Sequence, residues 1–306
     1  MEQKPARRSP LFERQSKTVS DRIQPNAPRF AGTENYIATP DLNVAVNAAI
    51  ALQRPLLIKG EPGTGKTVLA HEIAAALGAP LIEWHIKSTT KAQHGLYEYD
   101  AVKRLRDGQL GDPRVQDISN YIVRGKVWEA FTADKRPVLL IDEIDKSDEA
   151  FEAFLLEILS AYQVSVPELG VIKADIPPIV FLTSNNVRDL GDALKRRCLH
   201  LHIPLPDAKL EERIVASRVP GVEARLNREL VGFVQTLRTL DLRKSPSISE
   251  TVDWARALLL LHAHALEPEM VRETLNVLLK FEQDIQAVEP QIAELIRKPV
   301  QAAAKG

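Results

Sequence analysis

The stretch IKGEPGTGKTVLA, residues 58–70, decides the fold, because an apolar strand-like run turns into glycines and ends in Lys66-Thr67. Residues 60–67 fit the pattern G-x-x-x-x-G-K-[ST]. In such a loop the glycines let successive backbone N–H groups point inward, and the following helix adds the partial positive charge of its N-terminus. The alternative is a turn that merely precedes a helix. The strand before the loop and the helix after it favour a phosphate site.

This pattern gives particular residues a role in binding a nucleotide. Lys66 can reach the β- and γ-phosphates, and the Thr67 hydroxyl can bind Mg²⁺. ATP is favoured over GTP because the sequence contains no N-K-x-D guanine-reading motif. Tyr36 and Ile37, upstream of the first strand, are candidates for a wall against the base, with a core role as the alternative. The predicted nucleotide-binding residues are Gly60, Glu61, Pro62, Gly63, Thr64, Gly65, Lys66, Thr67 and Val68.

A second motif, PVLLIDEID at residues 137–145, supplies carboxylates for the same site. Its apolar run places Asp142 at the C-terminal end of a buried strand, where ligands bind in open α/β sheets. We predict that Asp142 holds Mg²⁺ together with Thr67. Glu143 is predicted to orient or deprotonate the attacking water. An acidic turn after a core strand is the alternative for this motif, and Asp145 is predicted to be structural.

Strand-like and helix-like segments alternate between residues 41 and 206. The predicted strands are PLLIK (55–59), LIEWHI (81–86), PVLLI (137–141), PIVFLTS (178–184) and LHLHIPL (199–205). The alternation predicts an α/β fold, with a parallel five-stranded sheet flanked by helices. After Asp207 the strand signal ends. We therefore predict a nucleotide-binding domain at 35–206 and a small all-α lid domain at 207–306.

Composition and charge restrict the class of protein. The chain of 306 residues has a formal net charge of −1, which gives no overall attraction to nucleic acid or to anionic membranes. Its single cysteine, Cys198, excludes an intrachain disulfide, and we expect a cytoplasmic protein. No apolar run reaches the roughly 18 residues of a membrane span. Residues 1–34 are basic and rich in proline, which predicts a disordered tail; a solvated leader without a specific partner is the plain interpretation.

The sequence that follows the acidic motif resembles the MoxR family of AAA+ ATPases. Residues 152–170 read EAFLLEILSAYQVSVPELG, similar to the helix and hairpin that follow the acidic motif in MoxR proteins. The resemblance runs from about residue 35 to 265, and in its terms residues 60–67 are the Walker A motif and PVLLIDEID is Walker B. It is closest to the CoxD-like branch, associated with maturation of molybdenum-containing carbon monoxide dehydrogenase. The stretches that carry the branch are GLYEYDAVKRLRDGQLGD (95–112), LTSNN (182–186), DALKRRCLH (192–200) and SISETVDWARAL (247–258).

The resemblance implies roles for further polar residues. The family's sensor 1, which positions water, falls on Asn185 rather than on Asn186. Its arginine finger, which reaches the γ-phosphate held by the next subunit, falls on Arg197, with Arg196 as the alternative.

The family's sensor 2 arginine has no clear counterpart, and this is a departure from its pattern. The aligned position is Ser247 or Ser249, so sensor 2 is either missing or replaced by Arg243 or Lys244. A missing sensor 2 would weaken the coupling of hydrolysis to the lid, and a slow ATPase would fit.

The same resemblance implies a function. It implies an ATP-hydrolysing chaperone, assembled as a ring, that remodels a client metalloenzyme for cofactor insertion or maturation. The ring is expected to be a hexamer, its partner a von Willebrand A-domain protein, and its client of the Mo-hydroxylase type. The alternatives are a DNA-acting AAA+ motor and an ATP-gated scaffold with little turnover.

For a few other residues a chemical role is conceivable, but a packing role is the simpler interpretation. Cys198 beside the finger could be redox-sensitive, but a small half-buried residue is the simpler interpretation. Tyr97 and Tyr99 could grip a polypeptide, with core packing of an inserted helix pair as the alternative. The alternating pairs His200/His202 and His262/His264 lack the spacing of a helical metal site.

Overall fold

The apolar runs of the sequence form the strands of the fold in a computed structural model that describes residues 29–166 and 170–297. The strands are β1 (Leu56–Lys59), β2 (Leu81–His85), β3 (Tyr97–Tyr99), β4 (Ile122–Arg124), β5 (Val138–Asp142), β6 (Gln163–Val166), β7 (Gly170–Lys173), β8 (Ile179–Ser184) and β9 (Leu199–His202). Five of them form one parallel sheet in the order β2-β5-β8-β1-β9. The predicted five-stranded parallel sheet is thereby confirmed.

The sheet is covered by helices on both faces. The helices of this part of the chain are α1 (Pro40–Leu52), α2 (Lys66–Leu77), α3 (Ala101–Gln109), α4 (Lys126–Phe131), α5 (Glu149–Ala161) and α6 (Asp192–Arg197), of which α3 belongs to an insertion described below. Every residue of β5 and β8 is buried, as expected for central strands of a parallel sheet. On α5, Phe151, Leu155 and Ile158 lie at positions i, i+4 and i+7 of one helix face and are buried against the sheet.

The second part of the chain is helical. It comprises α7 (Ala208–Arg218), α8 (Ala224–Leu237), α9 (Ile248–Leu260), α10 (Pro268–Leu278), α11 (Glu282–Val288) and α12 (Ile292–Arg297). Its core is built around Trp254, which is fully buried and whose Nε1 donates to Thr274 Oγ1 at 2.8 Å. Phe233 packs on the same ring at a centroid distance of 5.6 Å. These helices occupy the part of the chain predicted as the lid domain, and they are called the lid below.

Several boundaries differ from the sequence-based predictions. The strand predicted at 199–205 ends at His202, before Pro204 and Pro206, which have no N–H to donate to a sheet. Phe30 lies within the predicted tail, yet its side chain is buried and its N–H donates to Asn47 Oδ1 on α1 at 2.9 Å. Residues 1–28 lie outside the described residues.

Two small antiparallel strand pairs lie outside the five-stranded sheet. The pair β3-β4 flanks α3, so this insertion combines a helix with strands instead of the predicted pair of helices. The pair β6-β7 follows α5 and is the hairpin that the family resemblance implies. Within residues 29–166 and 170–297, no helix combines the length and the apolar character needed to span a bilayer.

Candidate active site

The glycine-rich loop connects β1 to α2 in a conformation that other residues would not adopt. Gly63 and Gly65 have φ angles of 78° and 87°, in the left-handed region that favours glycine. A Cβ on Gly60 would lie 2.5 Å from the carbonyl oxygen of Ile203, so the loop packs directly on the backbone beyond β9. The glycines therefore allow the loop to curl over the N-terminus of α2.

Lys66 is held under this loop. Its Nζ donates to the carbonyl oxygens of Gly60 and Glu61, each at 2.8 Å, and the residue is only 6% exposed. Burial lowers the pKa of the Lys66 ammonium, while the negative charges of Asp142 and its acidic neighbours oppose that shift. A phosphate in the loop would supply the counter-charge that a buried ammonium requires.

Asp142 lies at the end of β5 and joins the loop to the sheet. Its Oδ1 and Oδ2 lie 3.2 and 3.3 Å from the Thr67 hydroxyl, and it also accepts a short hydrogen bond from Thr183. His85 Nδ1 lies 3.1 Å from Asp142 Oδ2. Asp142 is only 7% exposed, and a buried carboxylate with this many partners is fixed in place.

Thr183 and His85 were not identified from the sequence. The strand register explains both contacts, since His85 pairs with Asp142 across β2 and β5, and Thr183 lies near the end of the neighbouring strand β8. A signal was available, because polar side chains at the C-terminal ends of adjacent parallel strands meet at one edge of the sheet. This signal would have placed His85 and Thr183 at that edge of the sheet, but it would not have identified their hydrogen bonds to Asp142.

Glu143 follows directly and has a left-handed backbone, with φ 60°. Its N–H donates to Thr183 Oγ1 at 2.9 Å, which fixes the backbone beside Asp142. Its carboxylate accepts from Asn185 Nδ2 at 3.2 Å and contacts Lys146 Nζ at 2.5 Å. The structure therefore brings Glu143 and Asn185 together, as their predicted roles require.

Asp145 holds the loop that carries Asn185. Its Oδ2 accepts from the backbone N–H groups of Asn185 and Val187, at 3.0 and 2.9 Å, and the residue is 3% exposed. This contact joins the acidic motif to the end of β8, in agreement with the structural role predicted for Asp145. Asn186 is exposed, with a left-handed backbone.

Two adjoining cavities lie along the loop. The smaller, of about 240 Å³, is lined by the predicted phosphate, metal and water-positioning residues and by one serine of the lid: Pro62, Gly63, Gly65, Lys66, Thr67, Val68, Asp142, Glu143, Asn185 and Ser249. The larger, of about 660 Å³, is shared by the loop, the segment before α1 and lid helices α7 and α9. Its volume is within the usual range for a small-molecule site.

Tyr36 and Ile37 both line the larger cavity. The Tyr36 ring lies over the loop, at 3.5 Å from the position a Cβ on Gly65 would take, and burial raises the pKa of the Tyr36 hydroxyl. The lid approaches the same segment, because Ser217 Oγ donates to the Glu34 carbonyl at 2.6 Å. This cavity therefore has the position and the apolar wall that a base requires.

The lid residues predicted as replacements for sensor 2 are engaged elsewhere. Arg243 stacks on Phe281, with its guanidinium carbon 4.1 Å from the ring centroid. Lys244 pairs with Glu250 at 3.4 Å. Ser249 instead lies near the Gly63 carbonyl, at 3.4 Å, and Arg256, two turns further along α9, lines the larger cavity.

Arg197 lies at the opposite edge of the sheet from the loop of its own chain. The N–H of Leu199 donates to Pro55 at the start of β1, whereas the loop follows the end of that strand, about 13 Å further along. The Arg54 side chain donates to the carbonyl oxygens of residues 196–198 and so fixes this segment. Arg196 and Arg197 are exposed. Either guanidinium could reach a phosphate only in another copy of the chain.

The residues assigned little chemistry from the sequence are mostly packed. Cys198 is buried, which raises the pKa of its thiol to about 12. A redox-sensitive cysteine requires a reactive thiolate, so this finding argues against the redox interpretation. Tyr97 is buried in the core. Tyr99 is 42% exposed, and its hydroxyl accepts from Arg104 at 2.9 Å.

The donor set at the edge of the sheet fits magnesium. Thr67 offers a hydroxyl and Asp142 a carboxylate, and hard oxygen donors of this kind suit an ion that keeps several waters and also binds phosphate. The two side chains already approach each other within hydrogen-bond distance. Thr67 and Asp142 are the residues that would hold the ion.

Comparisons with known proteins agree with this architecture. Residues 56–206 match the profile of the ATPase family associated with various cellular activities (AAA). An uncharacterized protein of Staphylococcus aureus (strain NCTC 8325) is 25% identical over 218 residues, which cover 69% of this chain and 78% of that protein. An uncharacterized AAA domain-containing protein of Schizosaccharomyces pombe is 26% identical over 180 residues, covering 56% of this chain and 20% of that protein.

Solved structures of similar fold include two variants of RuvB from Thermotoga maritima. They share 18% and 19% identity with this chain, with TM-scores of 0.51 and 0.50. Both alignments cover 88% of this chain, and 81% and 80% of the RuvB chains. At this level of identity the likeness concerns the fold.

The contact between the loop and the lid gives a first prediction. A Cβ on Gly63 would lie 2.1 Å from Ser247 Oγ, so Gly63→Ala should push the first turn of α9 away from the loop. We expect faster hydrogen exchange of the amides of residues 248–251, measured by mass spectrometry.

Gly78→Ala is the matched control. Gly78 also has a positive φ, 59°, but nothing lies within 4 Å of its added Cβ. Both variants carry the strain of a left-handed alanine, about 1–2 kcal/mol, and only Gly63→Ala adds the clash. Equal exchange of the α9 amides in the two variants would contradict the prediction.

Proposed function

We propose that this chain, whose residues 56–206 form a domain of the AAA family of ATPases, binds Mg²⁺-ATP at the loop of residues 60–67 and hydrolyses it. One observation carries the proposal. Lys66 and Thr67 share a single cavity with Asp142, Glu143 and Asn185, although these residues come from three separate segments of the sequence. An anion-binding loop that faces a metal-binding carboxylate and a candidate base is suited to phosphoryl transfer to water.

The side chains divide the work of hydrolysis. The loop amides and the Lys66 ammonium bind the phosphates, and Lys66 would exchange its contacts with the Gly60 and Glu61 carbonyls for phosphate oxygens. Magnesium, when bound at Thr67 and Asp142, neutralises charge on the phosphate oxygens. Glu143 orients or deprotonates the attacking water, and Asn185, 3.2 Å away, positions it from the other side.

We also propose that the active assembly is a ring, with hexamers as the expected form. The support is the position of Arg197, exposed at the edge of the sheet away from the loop of its own chain. A planar, permanently charged guanidinium suits the stabilisation of charge on a phosphate held by a neighbouring subunit. In this arrangement each site is completed by the next copy.

For the biological role we propose a MoxR-type chaperone in the cytoplasm. The support is the sequence from residue 152 to 170, whose described residues belong to α5, β6 and the start of β7, together with the branch-like stretches of the sequence. The ring would remodel a client metalloenzyme of the Mo-hydroxylase type for cofactor insertion, with a von Willebrand A-domain protein as partner.

Two substitutions separate binding from hydrolysis. Lys66→Ala should abolish ATP binding, because it removes the ammonium that faces the phosphates; titration calorimetry measures this. Glu143→Gln should retain binding and lower the rate of phosphate release by roughly 10²-fold or more, since a general base contributes about that factor. Micromolar ATP affinity in Lys66→Ala, or full turnover in Glu143→Gln, would contradict the proposed site.

A mixing experiment tests the shared site. Arg197→Ala should lower turnover by roughly 10³-fold or more and leave ATP binding intact, as expected for an arginine finger. Mixed rings of Arg197→Ala and Glu143→Gln subunits should recover part of the activity, because some interfaces then contain both intact residues. No recovery would refute action across the interface. Arg196→Ala is the control, and a larger loss in that variant would transfer the role to Arg196.

The chaperone role requires a test with a client. We expect that a Mo-hydroxylase apoenzyme gains metal and activity in the presence of this chain, ATP and the von Willebrand A-domain protein, but not with Glu143→Gln. Single-stranded DNA is the control polymer, because strong, salt-sensitive stimulation of the ATPase by DNA would favour a DNA-acting motor instead. Full client rescue by Glu143→Gln would favour a scaffold that needs no hydrolysis.

A further inference from the structure

The carboxylate of Glu143 is not free in the structure. Lys146 Nζ lies 2.5 Å from Glu143 Oε2, and the two side chains are 43% and 33% exposed. Lys146 lies outside the set of residues that line the phosphate cavity, whereas Lys66 lies within it. The two lysines therefore face different partners, Lys66 the phosphate loop and Lys146 the candidate base.

Local backbone geometry brings Glu143 and Lys146 together. Residues Ile144–Lys146 form a 3₁₀ turn with Glu143 at its N-terminal end, and the N–H of Lys146 donates to the Glu143 carbonyl at 3.0 Å. This i→i+3 hydrogen bond of the turn holds the two residues close together. The ion pair thus follows from the backbone conformation after β5 and does not depend on a distant contact.

The second oxygen of the carboxylate is also engaged. Glu143 Oε1 accepts from Asn185 Nδ2 at 3.2 Å, and the backbone N–H of Glu143 is fixed by Thr183. The carboxylate therefore lies between an amide on the side of the phosphate cavity and an ammonium on the solvent side. Each of its oxygens has a protein donor.

We propose that Lys146 restrains Glu143 and lowers the basal rate of ATP hydrolysis, an inference that rests on the proposed ATPase function. To activate water, Glu143 must accept a hydrogen bond from the nucleophile. An ammonium in contact with the same carboxylate competes for its negative charge and fixes its direction. Lys146 is thus a positioning residue that acts through Glu143.

The exposure of the pair determines how strong the restraint can be. An ion pair in contact with solvent is weak and is screened by salt, because water and counter-ions compete for both charges. The pair can therefore break without disturbing the core. Because Lys146 is 43% exposed, a carboxylate of another molecule could draw it away from Glu143.

Removal of the lysine side chain tests the inference. Lys146→Ala should raise basal turnover by roughly 1.5- to 5-fold, the factor that corresponds to the usual strength of an exposed ion pair. KM for ATP should be unchanged, because Lys146 does not contact the phosphate loop. Lys146→Arg, which keeps the charge, should return the rate toward that of the unaltered chain.

Lys126→Ala is the matched control, because Lys126 pairs with Glu129 three residues away at 2.8 Å and lies outside the site. Rates are compared at equal assembly state, verified by size-exclusion chromatography, and at about 0.05 M and 0.5 M KCl. We expect the difference between Lys146→Ala and the unaltered chain to narrow at high salt, because salt already weakens the pair.

The outcomes distinguish this inference from the proposed function. If the unaltered chain hydrolyses ATP and Lys146→Ala is equally fast or slower, Lys146 does not restrain Glu143 and the inference fails alone. A slower variant would mean that Lys146 helps to place the carboxylate. If neither chain releases phosphate from ATP, the proposed function fails and the inference fails with it.

Discussion

The contact between the Thr67 hydroxyl and the Asp142 carboxylate, at 3.2 Å, joins the two sequence segments on which the site depends. Thr67 belongs to the first turn of α2, and Asp142 ends a strand two positions away in the sheet. The parallel arrangement makes the contact possible, since the carboxyl ends of β1, β5 and β8 all lie at one edge. Glu143 and Asn185 lie at the same edge, because each directly follows one of these strands.

The edge concentrates negative charge that has to be compensated. Asp142 is held by Thr67, Thr183 and His85, Asp145 by two backbone N–H groups, and Glu143 by Asn185 and Lys146. These hydrogen bonds and the ion pair fix the direction of the three carboxylates in a partly buried site. A metal ion held by Thr67 and Asp142 would add positive charge at this edge, as would the Lys66 ammonium beside a bound phosphate.

The sequence was informative where the chemistry is local. The loop of residues 60–67 and the strand that ends in Asp142 are each specified by neighbouring residues, and each could be predicted before the structure. Contacts that depend on strand register were missed, among them His85 and Thr183. Lys146 was missed because its pairing depends on the turn that the backbone makes after β5. The place of the lid residue Arg256 in the lining of the larger cavity was also missed. It depends on how the lid packs on the phosphate loop and on the segment before α1, which a single sequence does not specify.

Helix α1 connects the larger cavity with the segment that carries Arg197. Its first turn, at Asp41 and Leu42, borders the cavity that fits a base, and just beyond its last turn Arg54 grips the carbonyl groups of residues 196–198. A helix of 13 residues is a stiff rod, roughly 20 Å long. A tilt imposed at the nucleotide end would shift the segment that presents Arg197 to its neighbour. If the chain assembles as the proposed ring, each subunit would then respond to the nucleotide bound by its neighbour, and turnover would proceed in sequence instead of independently.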